Sequence, residues 1–236
     1  RWVRFETEAW REVDCVVTMS EKDRAIVRGA RQVVALPNGV DLDRFTPSGV
    51  QPESGRILFI GSFAHLPNVI AVSWFLRKVW PLLGNATLHV IAGSRHQYFL
   101  DLYRSRVDLN LAIRGVEVED FVSDVRPAYE RAAVVIAPLQ ASAGTNIKIM
   151  EAMAMEKAIV STSGGVNGLD VTPGSDFLLA NTGAEFAAAI RRLIDDPEAR
   201  RRIEVEARRT AVARYNWDRI AEEQSALYDK LRFPRG

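Results

Sequence analysis

One short segment carries residue types that could bind a phosphorylated ligand. Residues 139–145 read Leu-Gln-Ala-Ser-Ala-Gly-Thr, a loop of mostly small residues that runs into a predicted helix over residues 146–155. The amino end of a helix exposes backbone N–H groups and carries partial positive charge, which favours a phosphate. We expect Thr145 to cap this helix, because its hydroxyl can accept from a first-turn N–H group.

Two charged residues on this helix, Lys148 and Glu151, are three positions apart and therefore share a face. A lysine one turn into such a helix can reach a phosphate, and the glutamate can accept two hydrogen bonds from a ribose diol. Ile147, Met150 and Ala154 are expected on the face that packs against a sheet. A capped helix with an ordinary surface Lys–Glu pair has the same spacing, so the residues alone leave both interpretations open.

Polar residues also follow a second predicted strand, residues 56–61. Gly61 would allow the backbone to approach a ligand closely, and Ser62, His65 and Asn68 are polar groups at the same strand end. A lone histidine in a loop is more often structural or exposed than a ligand. The aromatic residues nearby are expected in the core rather than in a base-stacking platform: Phe63, Trp74 and Phe75.

Short apolar runs rich in Val, Ile and Leu alternate with longer amphipathic stretches along the chain. This alternation predicts a doubly wound α/β fold with a parallel, Rossmann-like sheet and flanking helices. Strands are expected over residues 14–19, 32–36, 56–61, 87–92, 109–114, 133–138, 158–162 and 177–180. Helices are expected over residues 20–29, 68–82, 97–107, 122–131, 146–155, 184–194, 197–215 and 217–231. In such a sheet, ligands bind beyond the carboxyl ends of the strands, where both polar segments fall.

The composition argues against several functions. The 31 basic and 30 acidic residues give a net charge of +1, so no bulk field attracts nucleic acid or a membrane. Three His and one Cys match no familiar metal site, and neither a Walker loop nor a dinucleotide fingerprint is present. We therefore expect no metal, no cofactor and no nucleic-acid partner. The single Cys15 is expected to be a buried, inert thiol in a reducing, cytoplasmic setting.

Taken together, these segments resemble the carboxyl-terminal domain of glycosyltransferase family 4, the retaining enzymes with a GT-B fold. Residues 37–41, Pro-Asn-Gly-Val-Asp, resemble the family's hinge motif. Residues 144–155 resemble its donor-binding helix, in particular that of the sugar-transferase subgroup with the pattern GTxxKxxEAMAM. Residues 14–20 resemble the end of the acceptor domain, and residues 215–217, Tyr-Asn-Trp, resemble the aromatic pair before the last helix. The similarity covers nearly the whole chain.

The turn-rich residues 38–54 and this resemblance predict the domain organisation. Residues 1–37 are expected to be the tail of an upstream acceptor domain, because they are too few to fold alone. Residues 38–54 would be a hinge, residues 55–214 the donor domain, and residues 215–236 a terminal helix that crosses back. An opening of Arg-Trp-Val-Arg without an initiator Met is what we expect of a fragment.

The resemblance also implies roles for individual residues. Glu151 would hold the ribose hydroxyls, Lys148 would be the phosphate-stabilising cation, and the backbone near residues 116–118 would hold the base. The expected donor-binding set is Gly61, Ser62, Val118, Gly144, Thr145, Lys148 and Glu151. The donor would be a UDP-, GDP- or ADP-linked sugar, transferred with retention and without a metal. The catalytic residues on the acceptor side are unassigned.

Three departures from the family pattern affect this interpretation. Ala143 stands where many members have a glutamate, and Ser62 and Asn68 stand where many have an arginine and a lysine that neutralise the diphosphate. Lys148 would therefore supply more of the positive charge that neutralises the diphosphate. Glu156 stands where a glycine is usual, and a positive φ there would cost about 1 kcal/mol.

The sequence thus predicts the nucleotide-sugar-binding part of a glycosyltransferase that binds donor weakly and transfers nothing alone. Its partners would be the nucleotide sugar and its own upstream domain, through which alone any contact with a membrane is expected. A sugar-nucleotide epimerase or a phosphorylase on the same half-fold is an alternative. A non-catalytic nucleotide-sugar-binding domain is another, because Ala143 and Ser62 remove charges often used in turnover.

Overall fold

The computed structural model describes residues 1–141 and 144–232, so the departure at Ala143 lies outside the described residues. The first four elements are α1 (Trp2–Glu12), β1 (Val16–Thr18), α2 (Glu21–Arg24) and β2 (Val33–Ala35). Strands β1 and β2 pair in parallel as a separate two-stranded sheet. Cys15 beside β1 is partly exposed rather than buried as predicted, and the burial it does have raises the pKa of its thiol.

A six-stranded parallel sheet forms the centre of the molecule. Its strands are β3 (Arg56–Ile60), β4 (Thr87–Ile91), β5 (Val116–Glu119), β6 (Val134–Ala137), β7 (Ala158–Ser161) and β8 (Leu178–Leu179). They lie in the order β5-β4-β3-β6-β7-β8. Every neighbouring pair is parallel, and helices join successive strands from β3 to β7. This confirms the predicted doubly wound, Rossmann-like α/β fold.

Helices cover both faces of this sheet. They are α3 (Leu66–Lys78), α4 (His96–Tyr103), α5 (Arg126–Arg131), α6 (Ile147–Ala154), α7 (Gly183–Asp195), α8 (Pro197–Arg214) and α9 (Trp217–Arg232), with a 3₁₀ turn at Trp80–Leu82. The sheet separates two hydrophobic cores, and successive residues of β3 point into one or the other. Ile57 and Phe59 pack on the side of α3 and α7, and Leu58 packs on the side of α5, α6 and α8. In the part of the chain that the structure describes, no helix is long and apolar enough to cross a membrane.

The strand predicted over residues 109–114 is wrong. These residues form a loop whose Leu111 and Ile113 pack against the core, and the strand begins only after Gly115, which has a φ of 84°. Strand β5 is the edge of the sheet, and its sequence Val-Glu-Val-Glu alternates between the core and solvent. Alternation is typical of a half-exposed edge strand, whereas the prediction rested on a run of apolar residues.

Two predicted helices are also shorter than expected. Helix α2 starts where Ser20 accepts a hydrogen bond from the Asp23 N–H at 3.0 Å, as predicted, but it ends at Arg24 rather than at Gly29. Helix α5 begins at Arg126 rather than near residue 122, because Pro127 favours the first turn and has no N–H to extend a helix.

The predicted hinge contacts the start of the last helix. The Val40 N–H donates to the Tyr215 carbonyl at 2.7 Å, and Val40 also forms a bridge with Asn216. A Cβ on Gly39 would lie 2.7 Å from the Trp217 ring, so only glycine allows this approach. The two segments that carried the resemblance, residues 37–41 and 215–217, therefore contact each other.

Helix α6 ends at a residue in the left-handed conformation. Glu156 has a φ of 54°, and the following N–H, that of Lys157, donates back to the Ala152 carbonyl at 3.0 Å. This arrangement is a Schellman cap, in which glycine usually occupies the left-handed position. Glu156 thus has the positive φ whose cost the sequence analysis considered. The Glu156 carboxylate pairs with Arg201 on α8 at 3.0 Å, which ties the strained residue to the neighbouring helix.

Substitutions at position 156 will measure this strain. We expect Glu156→Gly to be at least as stable as the wild type, since removing Cβ relieves about 1 kcal/mol and the partly exposed ion pair contributes about 0–1 kcal/mol. Glu156→Val should lower the free energy of unfolding by about 1–2 kcal/mol, because a β-branched side chain fits poorly at positive φ. Urea unfolding measures both values.

The same two changes at Glu206, inside α8, provide the control. There the backbone is right-handed, so Val should be more stable than Gly. Equal stability of the Gly and Val variants at position 156 would contradict a strained Glu156.

Candidate functional site

The strand order of the central sheet reverses between β3 and β6. Ile57 pairs with Val134 and Leu58 with Val135, while β4 and β5 extend the sheet on one side and β7 and β8 on the other. The loops that leave β3 and β6 therefore diverge to opposite faces and open a crevice at their carboxyl ends. Such a switch point is where doubly wound sheets bind ligands.

A cavity of about 270 Å³ occupies this crevice. From the β3 side it is lined by Gly61, Ser62, His65 and Asn68, and from the α6 side by Asn146 and Lys148. The two polar segments singled out in the sequence thus line one cavity. Larger cavities lie elsewhere among the described residues, including one of about 460 Å³ between α7 and α8. We regard the smaller one as the candidate site, because it alone of these two lies at the switch point.

At the end of β3, Gly61 allows Asn68 to fold back over the strand. The Asn68 side chain donates to the Ser62 carbonyl at 2.8 Å. A Cβ on Gly61 would lie 2.8 Å from Cγ of Asn68 and 2.9 Å from the Phe59 ring. Gly61 is therefore required by packing within the protein, whatever it contributes to a ligand. His65 lies at the amino end of α3, exposed, and its side chain does not cap that helix.

Asn146, rather than the predicted Thr145, precedes the first residue of α6. The Asn146 side chain does not cap the helix but donates to the Gly165 carbonyl at 3.2 Å. The first backbone N–H groups of α6 point out of the helix end, as in every α-helix. Gly144, with a φ of 87°, turns the chain into this segment. The amino end of α6 thus has the geometry of an anion site, without the hydroxyl cap that the sequence predicted.

One residue predicted to pack on the sheet does not. Ile147 is 46% exposed, whereas Met150 and Ala154 are fully buried as predicted, and Ile149 takes a place in the core beside them. The apolar face of α6 therefore starts at Ile149, two residues later than the sequence pattern indicated.

The sequence analysis missed a loop after β7, residues 163–168. A Cβ on Gly164 would lie 2.3 Å from the Leu139 carbonyl, and one on Gly165 would lie 2.4 Å from the Ala137 carbonyl. These glycines let the loop press directly against the exit of β6, and Gly168 comes near Thr145 as well. The Gly-Gly pair after a predicted strand was the available signal, since glycine at a strand end often marks close backbone approach.

Lys148 and Glu151 form the predicted pair, with a third partner that the sequence did not reveal. Lys148 Nζ lies 3.1 Å and 3.2 Å from the two carboxylate oxygens of Glu151. The Tyr129 hydroxyl, on α5, donates to Glu151 Oε2 at 2.9 Å. The Glu151 side chain is 10% exposed and that of Lys148 is 40% exposed. Burial and the nearby Glu151 carboxylate raise the pKa of Tyr129 well above its ordinary value, so its phenol stays protonated and donates.

Four of the predicted donor-binding residues are not among those that line the cavity: Val118, Gly144, Thr145 and Glu151. Glu151 adjoins it through Lys148 and Tyr129, which do line it.

Val118 lies inside β5, where it is paired in register with Val90 of β4, and its side chain packs against the core. The strand ends one residue later, at Glu119, and the next residue, Asp120, binds His96 at the start of α4. The carboxyl end of β5 is therefore shaped by the Asp120–His96 contact.

The comparisons with known proteins agree with this architecture. A family model described as "Glycosyl transferases group 1" matches residues 54–196, more than half of the chain. The chain therefore belongs to the group 1 glycosyltransferases, and its sheet is the Rossmann-like half of a GT-B fold. The matched region contains both sides of the cavity.

Individual relatives are distant and longer than this chain. Glycogen synthase of Mycobacterium tuberculosis is 24% identical over 94% of this chain and 56% of its own length. Sucrose-phosphate synthase of Thermosynechococcus elongatus superposes with a TM-score of 0.79 at 22% identity, over 97% of this chain and 61% of that one. HepE of Anabaena in complex with UDP superposes with a TM-score of 0.77 at 18% identity, over 95% and 66%. The chain thus spans little more than half of that glycogen synthase.

The close packing at Gly61 yields a stability prediction. Gly61→Ala should lower the free energy of unfolding by about 1–3 kcal/mol, because the added methyl group must displace Asn68 or the buried Phe59 ring. Ser62→Ala, one residue on, should change it by less than about 1 kcal/mol, because it loses only the long hydrogen bond from the Ala64 N–H to the Ser62 hydroxyl at 3.3 Å. Urea unfolding of the two variants checks this, and an unaffected Gly61→Ala protein would contradict the described packing.

Proposed function

We propose that this chain is the donor-binding domain of a retaining glycosyltransferase and that it binds a nucleotide sugar in the cavity between β3 and α6. The observation that carries the proposal is the meeting of the amino end of α6, with its Lys148, and the exit of β3 at the switch point of the sheet. Membership in the group 1 glycosyltransferases supports the reaction class. The relatives' UDP complex supports a nucleotide diphosphate as the ligand.

The diphosphate would lie at the amino end of α6. Backbone N–H groups of its first turn, with the helix dipole, offer hydrogen bonds and partial positive charge to an anion. Lys148 lines the same cavity and adds a full charge. Gly61 and Ser62 face them from the end of β3, and Gly144 and Thr145 lead into the helix. Ligand sites are usually about 300–1,000 Å³, so a cavity of about 270 Å³ suits the diphosphate and part of the donor rather than all of it.

The ribose would be held by Glu151. Its carboxylate has two oxygens, each with more than one lone pair, and can accept from both hydroxyls of a diol. Lys148 covers this carboxylate, with its Nζ 3.1 Å from the nearer oxygen. A bound diphosphate would attract Lys148 away from Glu151, and the ribose hydroxyls would take its place. One side chain thus links phosphate binding to ribose binding.

The base would lie farther along the carboxyl edge of the sheet. Val118, the residue expected there, is inside β5, so its backbone could reach a base only near the strand end at Glu119. The Asp120–His96 contact lies at that end.

Sugar transfer would need a second domain. The amino-terminal segment exposes large apolar side chains, with Trp2, Val3 and Phe5 more than 60% exposed, and α1 buries none of its residues. An upstream acceptor domain would cover this surface, and the longer relatives support its existence. We propose that the acceptor-side catalytic groups come from that domain and that this chain alone binds donor without transferring it. Lys148 and the helix dipole would stabilise the leaving diphosphate without a metal ion.

Two single substitutions separate the phosphate and ribose subsites. Lys148→Ala should weaken UDP, GDP or ADP binding and pyrophosphate binding by about 10-fold or more, because a charge-assisted hydrogen bond to phosphate is lost. Glu151→Ala should weaken the nucleoside diphosphates by a similar factor but leave pyrophosphate binding unchanged or tighter, since Lys148 is then released. Isothermal titration of each probe gives the Kd values.

Lys230→Ala and Glu222→Ala, both exposed on α9, are the matched controls and should leave all Kd values unchanged. Nucleosides without phosphate add a further check: Lys148→Ala should leave their binding unchanged or strengthen it, because it uncovers Glu151. If neither site variant weakens any nucleotide, the cavity is not the donor site.

A further inference from the structure

Tyr129 is one of the residues that line the candidate cavity, and its buried hydroxyl reaches the Glu151 carboxylate. Its ring is fully buried on α5, and its edge packs against Phe45 with ring centroids 6.4 Å apart. The hydroxyl has two acceptors in reach, Glu151 Oε2 at 2.9 Å and the Lys148 carbonyl at 3.2 Å. A phenol has one proton, and the carboxylate is the closer and stronger acceptor. The phenol proton therefore goes to Glu151.

The two partners of Glu151 differ in how firmly they are held. The Lys148 side chain is 40% exposed and ends in a flexible four-carbon chain, so it can move to another anion. The Tyr129 side chain is held by the packing of its fully buried ring in the core. When Lys148 turns toward a phosphate, Tyr129 is the partner that remains.

A buried carboxylate needs such a partner. Glu151 is 8% exposed, and removing its last donor would leave a charge in a poorly solvated position. It would then change rotamer toward solvent. That change removes the acceptor geometry that a ribose diol requires.

We propose that Tyr129 is a positioning residue that holds the Glu151 carboxylate ready for the ribose hydroxyls of the donor. This inference rests on the proposed function, in which Glu151 binds the ribose. Tyr129 itself touches no ribose; it acts through Glu151. It thereby favours ribonucleotides over nucleotides that lack the diol.

Tyr129→Phe tests this with little change in packing, because it removes one oxygen and keeps the buried ring. The probes are UDP, GDP or ADP, whichever binds the wild-type full-length protein most tightly, and the 2′,3′-dideoxy form of the same nucleotide. We expect Tyr129→Phe to weaken the ribonucleotide by about 10-fold, as loss of a hydrogen bond to a charged group does. The dideoxy nucleotide should change less than about twofold, since it makes no bond to Glu151.

A double-mutant cycle with Glu151→Ala isolates the coupling. In the Glu151→Ala background, Tyr129→Phe should have no further effect on ribonucleotide binding, because the carboxylate through which Tyr129 acts is gone. A merely structural role would weaken both nucleotides equally and in both backgrounds, and that result would overturn the inference. Thermal unfolding of each variant reports separately on any loss of folded protein.

The outcomes also separate this inference from the proposed function. If Glu151→Ala selectively weakens ribonucleotide binding but Tyr129→Phe does not, Glu151 binds the ribose and Tyr129 is not its positioning residue. If Glu151→Ala fails to distinguish the ribonucleotide from its dideoxy form, the assignment of Glu151 is wrong and the inference about Tyr129 falls with it.

Discussion

The parallel pairing of β3 with β6 determines where a ligand can enter this molecule. It places Ile57 beside Val134, so the two strands end together and their loops leave on opposite faces. Helix α6 then begins beside the exit of β3, with its positive end at the crevice. The loop with Gly164 and Gly165 packs against the exit of β6 and supports this start from the other side. The position of the cavity is thus a consequence of strand order, and α6 and the exit of β3 both supply its polar groups.

Burial of Glu151 is the costly part of this arrangement. A carboxylate that is 8% exposed loses much of its hydration, and the charge of Lys148 with the hydroxyl of Tyr129 compensates for that loss. The same features make the group useful, because a fixed acceptor in a poorly solvated place binds hydroxyls more strongly than one in water. The strained residue Glu156 ends the helix that carries this carboxylate, and its ion pair to Arg201 joins the helix end to α8.

The sequence was sufficient for the features that local patterns encode. Continuous apolar runs identified most strands of the central sheet, and a spacing of three residues identified the Lys148–Glu151 pair. The sequence was insufficient where packing between distant segments determines the structure. The contact of Tyr129 with Glu151 joins residues 22 positions apart and leaves no local signal. Thr145 is a good capping residue by type, but α6 begins later, where Asn146 bonds Gly165 in a distant loop. The strand that became β5 was predicted at the wrong residues, because an edge strand needs apolar residues on one face only and so lacks a continuous apolar run.

A crystal structure of this chain with UDP, GDP or ADP would show directly where the nucleotide binds. We expect diphosphate oxygens within about 3 Å of the first backbone N–H groups of α6, Lys148 turned from Glu151 to the phosphate, and a ribose hydroxyl on the Glu151 carboxylate. A nucleotide bound instead between α7 and α8, or in the groove between α2 and α9 beside Tyr215, would contradict it.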